Sequence, residues 1–584
     1  MNKLARLYWT AKGVGWRNIP RRVLQAYRIR SGWLKKSLAC ERFNDQAFAR
    51  ACSASIEDMP ALWRRRSERF FAVPSRDQLV SLADDTLWNQ QVVSVCEKAI
   101  LGEYLMFGKW FGRLGWPPDF NRDPMNNLQW QSGQHWMDGP DSLGGEADIK
   151  LVWEASRFSL AYYFARAYAR DGNEKWACAF WEMFDAWIEQ NPPQLTVNWR
   201  CGQEMTFRLM AMVFAAIVTL PSKSATPQRL WALTKLAWQT GLQLRANINY
   251  ARSQGNNHAI SEATGLWTIG LLFEELAQSS SLKEQGRRVL RAELRRQVHA
   301  DGSYVQNSMN YHRVMLDDML WAIRLGQLAD DPLCAEVMDR FKRAANWLWE
   351  MLDLTSGRVP NYGANDGAQV LPLSCGEYLD YRPVVQAANF AATGSRYLDN
   401  GFWNEKLLWL YGAQALAREP APPKRSSLFA ADSGGYYILR GTDSWAMTRC
   451  TTHRTRPSQC DMLHVDLWYK GINILRDAGS YMYNCPEPWK SYFSSTRAHN
   501  TVTIDDAEQM VKGPRFLWFR WPRVRVSNRS ISIWKSGLEL LQMEHSGYSR
   551  LGVVHRRSIL QIRNLYVIVD DLLGAGEHEA TLRW

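Results

Sequence analysis

ALAREPAPPKRSS, residues 415–427, separates two kinds of periodicity, and that separation decides the fold. Its prolines and charges suit a linker between domains and no helix or sheet interior. Upstream, from about residue 85 to 418, apolar residues recur at three and four spacing. The pattern is clear in VWEASRFSLAYYFARAYARDG (152–172), KWACAFWEMFDAWIEQNPP (175–193) and EMTFRLMAMVFAAIVTL (204–220), each ended by a helix breaker. It continues through 226–249, 258–277, 281–298, 308–326, 332–352 and 401–416, so a long series of helices is joined by short loops. Helical hairpins arranged as a toroid or solenoid fit this series. Downstream the period becomes two. GGYYILR (434–440), SWAMTRC (444–450), LHVDLWYKGINILRDAG (463–479), HNTVTID (499–505), SISIW (530–534), GVVHRRSILQI (552–562) and LYVIVDDLL (565–573) read as strands of an antiparallel β-sandwich. The chain is therefore α+β and multidomain: a basic helical segment (1–84), an α/α toroid (85–418) and an antiparallel β-sandwich (428–584). HEATLRW (578–584) reads as the middle of a strand, which predicts an incomplete final sheet.

Length and composition agree. A chain of 584 residues exceeds what one core holds, and 46% hydrophobic with 22% charged residues is the profile of a folded chain. The run Leu209–Leu220 falls short of the roughly 20 apolar residues that span a bilayer, and the first twenty residues lack the apolar stretch of a secretory signal. Absence of a signal points to the cytoplasm. The ten cysteines form no CxxC pair, so buried free thiols are expected. The formal charge is +13, yet residues 1–76 hold 17 Lys and Arg against 5 Asp and Glu, which leaves 54 against 53 for the rest. YRIRSGWLKK and LWRRRSERF interleave these charges with aromatics; they read as a solvated helical flank, with an anionic membrane face, phosphates or an anionic polymer as the alternative. No nucleic-acid motif accompanies them.

Three helical-region stretches can carry chemistry. In RSQGNNHAISEATGLW (252–267), Asn256 or Asn257 can cap the following helix, and His258 and Glu262 share a face, so the carboxylate can orient the imidazole and raise its basicity. DGSYVQNSMNYHRVMLDDML (301–320) puts Tyr311 and His312 at a helix entry. PNYGANDGAQ (360–369), with Asn365 and Asp366, lines a cleft or turns the chain, and the turn is the simpler reading. In the β region, HRTRPSQCDMLHVDLWYKG (453–471) supplies Arg454, Arg456, Gln459, Asp461 and His464, followed by Asp477 and His499. Glu204 and Arg208 read as an intrahelical pair. A glycoside hydrolase would need two facing carboxylates, for which Glu204, Glu262 and Asp366 are the candidates.

These stretches, in this order, resemble the heparinase II/III-like polysaccharide lyases. The resemblance runs from about Leu151 to the end, through WEASR (153–157), NPPQLTVNWRCGQEMTFR (191–208), NNHAISE (256–262), DGSYVQNSMNYH, NYGANDG (361–367), SGGYYILR (433–440), QCDMLHVDLW (459–468), RDAGSYMYN (476–484) and STRAHNTVTID (495–505). It implies a helical toroid with a β-sandwich, and cleavage of a uronic-acid-containing acidic polysaccharide by β-elimination. It implies that Asn257 and His258 neutralise the uronate carboxylate and that Tyr311 donates, or also removes, a proton. Asn256, Glu262, His312, Asn365, Arg454, Arg456 and Gln459 would contact the glycan. The family's His-x-His-x-Asp frame reads Pro457, Ser458, Gln459, Cys460, Asp461 here, so the base histidine is replaced, with His464 or His453 as substitute and His464 preferred. No cofactor is required; Asp477 and His499 match zinc positions, while Gln459 stands where another ligand would, so a structural zinc would bind poorly. The N-terminal arm resembles members associated with bacterial surface-polysaccharide production, which implies a capsule or exopolysaccharide role and an envelope location, with peripheral membrane contact through the basic segment. A non-catalytic glycan-binding or biosynthesis-accessory protein on the same fold is the alternative.

Overall fold

The helix Gly202–Val218 has all of its residues buried, as only an inner helix can. It stands in an inner ring with Ser159–Asp171, His258–Leu272, Met309–Leu328 and Arg382–Thr393, each packed on the next. Two-faced outer helices, Glu174–Gln190, Pro227–Gln254, Ser279–Gln297 and Ala335–Met351, pair with the inner helix before them. A buried ion pair between Arg166 and Glu405 (2.6 Å) ties Ser159–Asp171 to Asn404–Tyr411 at the far end of the series. The computed structural model describes residues 2–140, 142–143, 147–482, 485–514, 516–529 and 538–584.

Two differences from the periodicity reading have clear causes. Glu103–Met106 and Trp110–Arg113 form a hairpin inside the helical region, because Phe107 and Gly108 both adopt positive φ and reverse the chain tightly. Residue 84 is no packing boundary either. Phe48, Trp63, Phe70 and Phe71 share the toroid's core, and buried Arg66 pairs with Glu275 at 2.6 Å. Leu34, Leu38 and Phe43 form a satellite cluster against Leu242 and Ala246, and the residues before them stand largely outside both.

The sandwich has a five-stranded antiparallel sheet in sequence order (Leu428–Ala431, Tyr436–Arg440, Ser444–Arg449, Val465–Tyr469, Ile472–Leu475) and a four-stranded one (Val524–Arg529, Leu538–His545, Val554–Ile562, Leu565–Leu573). Tyr437, Leu439, Ala446 and Val465 meet Leu541, Met543 and Ile559 between them. SISIW lies outside the described residues, whereas Leu538–His545, read from the sequence as no strand, pairs along its whole length with Val554–Ile562. The other face of the first sheet packs on the toroid: Trp445 Nε1 donates to Asp353 (3.1 Å) and Ser458 Oγ to the Gln306 carbonyl (2.8 Å). All ten cysteines are free thiols. Among the described residues no helix is long and apolar enough to cross a membrane.

Candidate active site

The helix Pro227–Gln254 ends at Gly255, whose φ of 67° lets the chain reverse into His258–Leu272. Asn257 sits at the N-cap position but in helical conformation, where a side chain cannot reach back to the first turn, and it caps nothing. Its Nδ2 donates instead to Gln203 Oε1, and its backbone N–H donates to Gln306 Oε1 at 2.8 Å. Asn256 is half-buried with an unpartnered Oδ1. His258 is half-buried, with Nδ1 3.8 Å from Cys201 Sγ. Burial pushes its imidazole down to about 4, more than the anions Glu204 and Asp366 offset, so it is neutral at pH 7. The expected help from Glu262 does not occur. That carboxyl lies against Gly202, where an added Cβ would come within 2.4 Å of it. It makes no hydrogen bond to His258 among the described residues, and burial pushes it up to about 8.

Ser308 caps the helix Met309–Leu328 by accepting from the Tyr311 N–H at 3.1 Å, which puts Tyr311 in the first turn. Its hydroxyl donates to Asp366 Oδ2 at 2.8 Å, and Lys150 Nζ meets the same oxygen at 2.6 Å. Burial opposes a charge on Asp366, but Lys150, Arg157 and the Tyr311 hydroxyl together hold it down at about 2. The loop 360–369 thus turns the chain and also carries Asp366 to Tyr311 and Lys150. Its Gly363, at φ 85°, passes so close that a Cβ would lie 2.2 Å from the Asn307 carbonyl. Asn365 receives the Tyr378 hydroxyl (2.6 Å) on its side chain, and its N–H donates to Ser480 Oγ (2.7 Å), which joins this loop to the sandwich. His312, one residue past Tyr311, is rotated by about 100° around the helix. It faces the core, stacked on Trp347 and hydrogen-bonded to the Ala344 carbonyl at 2.9 Å, so it does not reach a substrate.

Glu204 and Arg208 do not pair. Glu204 is gripped bidentately by Arg157 at 2.8 and 2.9 Å, and Arg208 reaches the Ser156 and Asn198 carbonyls. Arg157 also binds Glu154 at 2.7 Å, so Glu154, Arg157 and Glu204 form a buried carboxylate–guanidinium–carboxylate triad.

On the sandwich side, Gln459 is buried with an unpartnered Oε1, and Asp461 accepts from Tyr362 and from Arg449 (3.0 Å). Arg454 is exposed, and Arg456 lies over the Phe516 ring. His464 is fully buried, and Nδ1 accepts from the Asn500 N–H at 3.1 Å. A base must reach the proton it takes, and a fully enclosed imidazole does not. His464 instead joins Asp477 and His499: its Nε2 is 3.6 Å from Asp477 Oδ2, to which His499 Nδ1 is hydrogen-bonded at 2.8 Å. Among the described residues this is the one cluster of three or more such donors with converging ligand atoms, all within 4.8 Å of one another. Two imidazoles and a carboxylate at that spread fit a zinc-class ion, and Nε2 of both histidines is buried without a hydrogen-bond partner.

Sequence reasoning passed over Lys150, Gln203, Gln306 and Tyr378. Gln203 and Gln306 lie inside the motif stretches, and Lys150 lies three residues before WEASR, but only folding brings them to the site. It also passed over exposed aromatics after Ser480: Tyr481, and Trp489 and Tyr492 at the ends of the short helix Trp489–Tyr492. Most of the 29 tryptophans are core: among the described residues only Trp16, Trp33, Trp489 and Trp584 are largely exposed.

Comparison with known proteins is consistent from end to end. The family model for the heparinase II/III N-terminus matches residues 76–367, and that for the heparinase II/III-like C-terminal region matches residues 423–584. A heparin-sulfate lyase of Bacteroides thetaiotaomicron is 24% identical over 481 residues, 78% of this chain and 63% of the relative. One from Pedobacter heparinus is 23% identical over 450 residues, 75% of this chain and 62% of the relative. The chain therefore spans somewhat under two thirds of the length of these relatives. A crystal structure of heparinase III superposes with a TM-score of 0.59 at 17% identity, covering 91% of this chain and 80% of that one. A mutant heparan sulfate lyase from Pedobacter heparinus gives 0.52 at 18% identity, covering 89% and 74%. At such identities the structural likeness speaks to the toroid-and-sandwich fold.

Proposed function

Because the chain belongs to the heparinase II/III-like family, we propose that it is a polysaccharide lyase that cleaves a uronic-acid-containing acidic polysaccharide by β-elimination, in bacterial capsule or exopolysaccharide metabolism. The observation that carries this reading is the Tyr311 hydroxyl on Asp366, with Lys150 on the same oxygen and neutral His258 coupled to both charges. The C5 proton of a uronate is removable only when its carboxylate is met by hydrogen-bond donors. Asn257, held by Gln203, and the neutral His258 supply them. With Pro457 at the family's base position, His464 enclosed and His453 packed against Trp521 with its Nε2 buried, Tyr311 performs both proton transfers. As phenolate it takes the C5 proton; the C4–O bond breaks as the C4–C5 double bond forms, and the same proton passes to the departing C4 oxygen. Lys150 offsets the charge of Asp366 beside that phenolate. Hydrolysis fits less well, because both oxygens of Glu204 are taken by Arg157 and Glu262 is enclosed.

A zinc-class ion on His464, Asp477 and His499 would serve as a structural cross-link between the first sheet and the segment after it. The chain's basic N-terminal segment would make peripheral contact with an anionic membrane surface. The replaced base position also sustains the second reading, a glycan-binding or biosynthesis-accessory protein without catalysis. A panel of uronate polymers, followed for unsaturated product and for new reducing ends, separates these. Unsaturated product from the wild type and none from Tyr311→Phe is the expected result. Reducing ends without unsaturation would exclude the lyase, and binding with neither would favour the accessory role.

A further inference from the structure

The first two helices are built inside out. In Lys3–Val14, Leu4, Leu7 and Tyr8 follow the i, i+3, i+4 pattern of a buried face, and in Ile19–Arg30, Val23, Leu24 and Tyr27, at i, i+1 and i+4, fall on one face as well. All six point to solvent, with exposures from 49% at Tyr8 to 76% at Leu4. The body is met by the polar side: Gln25 is the buried residue of the second helix, Arg22 donates to the Ser253 carbonyl at 3.3 Å, and Arg28 donates to the Ala246 carbonyl at 3.0 Å. The arrangement is held in place. Trp9 and Lys12 pack on Trp521 of the sandwich, while the Asn18 side chain accepts from Arg296 of the toroid at 2.9 Å. Each stripe is extended by an exposed tryptophan: Tyr8 lies 6.1 Å from Trp16, and Arg28 covers the ring of Trp33 at 4.4 Å.

We infer that this outward face inserts into the interface of an anionic phospholipid bilayer, which rests on the peripheral-contact reading above and gives it a surface and a mode. Charge selects the occupant. Residues 1–76 carry 17 basic against 5 acidic residues, so a second copy of the face would be repelled and an anionic headgroup layer attracted. Leucine, valine and tyrosine flanked by Lys3, Arg6, Arg17 and Arg30 match a helix lying in the headgroup–acyl boundary. A hydrated polyanion would gain nothing from the leucines.

The test uses the full chain with phosphatidylcholine vesicles, with and without phosphatidylglycerol, in flotation and in sedimentation equilibrium. The triple variant Leu4→Ser/Leu24→Ser/Tyr27→Ser removes apolar side chains that touch solvent and keeps every charge; circular dichroism checks its fold. Wild type is expected to float with the anionic vesicles and the triple variant to bind them at least tenfold more weakly, with wild-type activity on soluble polymer in both. Equal binding by the two proteins would overturn insertion and leave only electrostatic contact. Failure of the wild type to bind anionic vesicles would overturn the peripheral contact itself. Self-association of the wild type that the triple variant loses would reassign the face to a second copy.

Discussion

Lys150→Met tests the chemistry assigned to Tyr311 most directly. Lys150 Nζ and Tyr311 Oη share Asp366 Oδ2 at 2.6 and 2.8 Å, which puts the ammonium within about 5 Å of the phenol oxygen. At an effective dielectric of ~20, a charge pair at that separation is worth ~3 kcal/mol, or roughly two pKa units. Lys150 is partly open to solvent, so one to two units is the working expectation, on the order of the screened value. The sign follows from the phenolate being the reactive form. Without the cation, Asp366 stays anionic beside it and the phenol holds its proton more tightly. The rising limb of kcat/KM against pH should therefore move upward, with a loss of about 10- to 100-fold below the limb and recovery toward the wild-type rate above it. Lys150→Met/Asp366→Asn removes both charges and should return the limb toward its original position, since the two residues are coupled through one oxygen. The measurement is initial formation of unsaturated product across pH. A loss of the same factor at every pH in the single variant, with no movement of the limb, would refute this role for Lys150.

Two further outcomes follow from buried groups. Burial lifts Glu262 to about 8 from an ordinary value near 4.5, so its contribution to stability is fully present below pH 4.5 and is lost as pH rises through 8, on the order of 5 kcal/mol in total. Glu262→Gln should remove that slope, so the difference in melting temperature between variant and wild type should grow with pH over this range; a constant difference would show that the carboxyl is not held protonated. For the sandwich cluster, elemental analysis after dialysis against zinc and then buffer should find about one zinc-class ion per chain. His499→Ala should lose the ion and lower the melting temperature, and a metal-free wild type indifferent to chelator would remove zinc from the reading.

The architecture was legible because it rests on local signals. The change of period across Ala415–Ser427 separates helices from strands wherever the faces are regular, and the structure follows it, with hairpins and ladders where the alternation lies. The exceptions are instructive. LELLQMEH hides its alternation behind leucines on both faces, and the Glu103–Arg113 hairpin depends on a two-residue turn at Phe107–Gly108 that interrupts an otherwise helical run. Asn257, His258 and Tyr311 were singled out by motif, and the fold brings Tyr311 to the charge pair that His258 senses.

What lay beyond the sequence was direction and burial. Tyr311 and His312 are neighbours in the chain, but helix geometry sends one to Asp366 and the other to Trp347. His258 and Glu262 share a helical face, yet the close approach of Gly202 leaves the carboxyl apart from the imidazole. His464 was read as a base from its place near a motif, whereas its enclosure beside Asp477 and His499 makes it a potential ligand. Periodicity also marks the apolar stripes of the first two helices without saying which way they face. The sequence by itself determined the order of helices and strands, because that depends on contacts a few residues apart. Tertiary structure alone decided which polar groups are desolvated and which charge meets which, because those depend on residues far apart in the chain, as with Lys150 and Asp366.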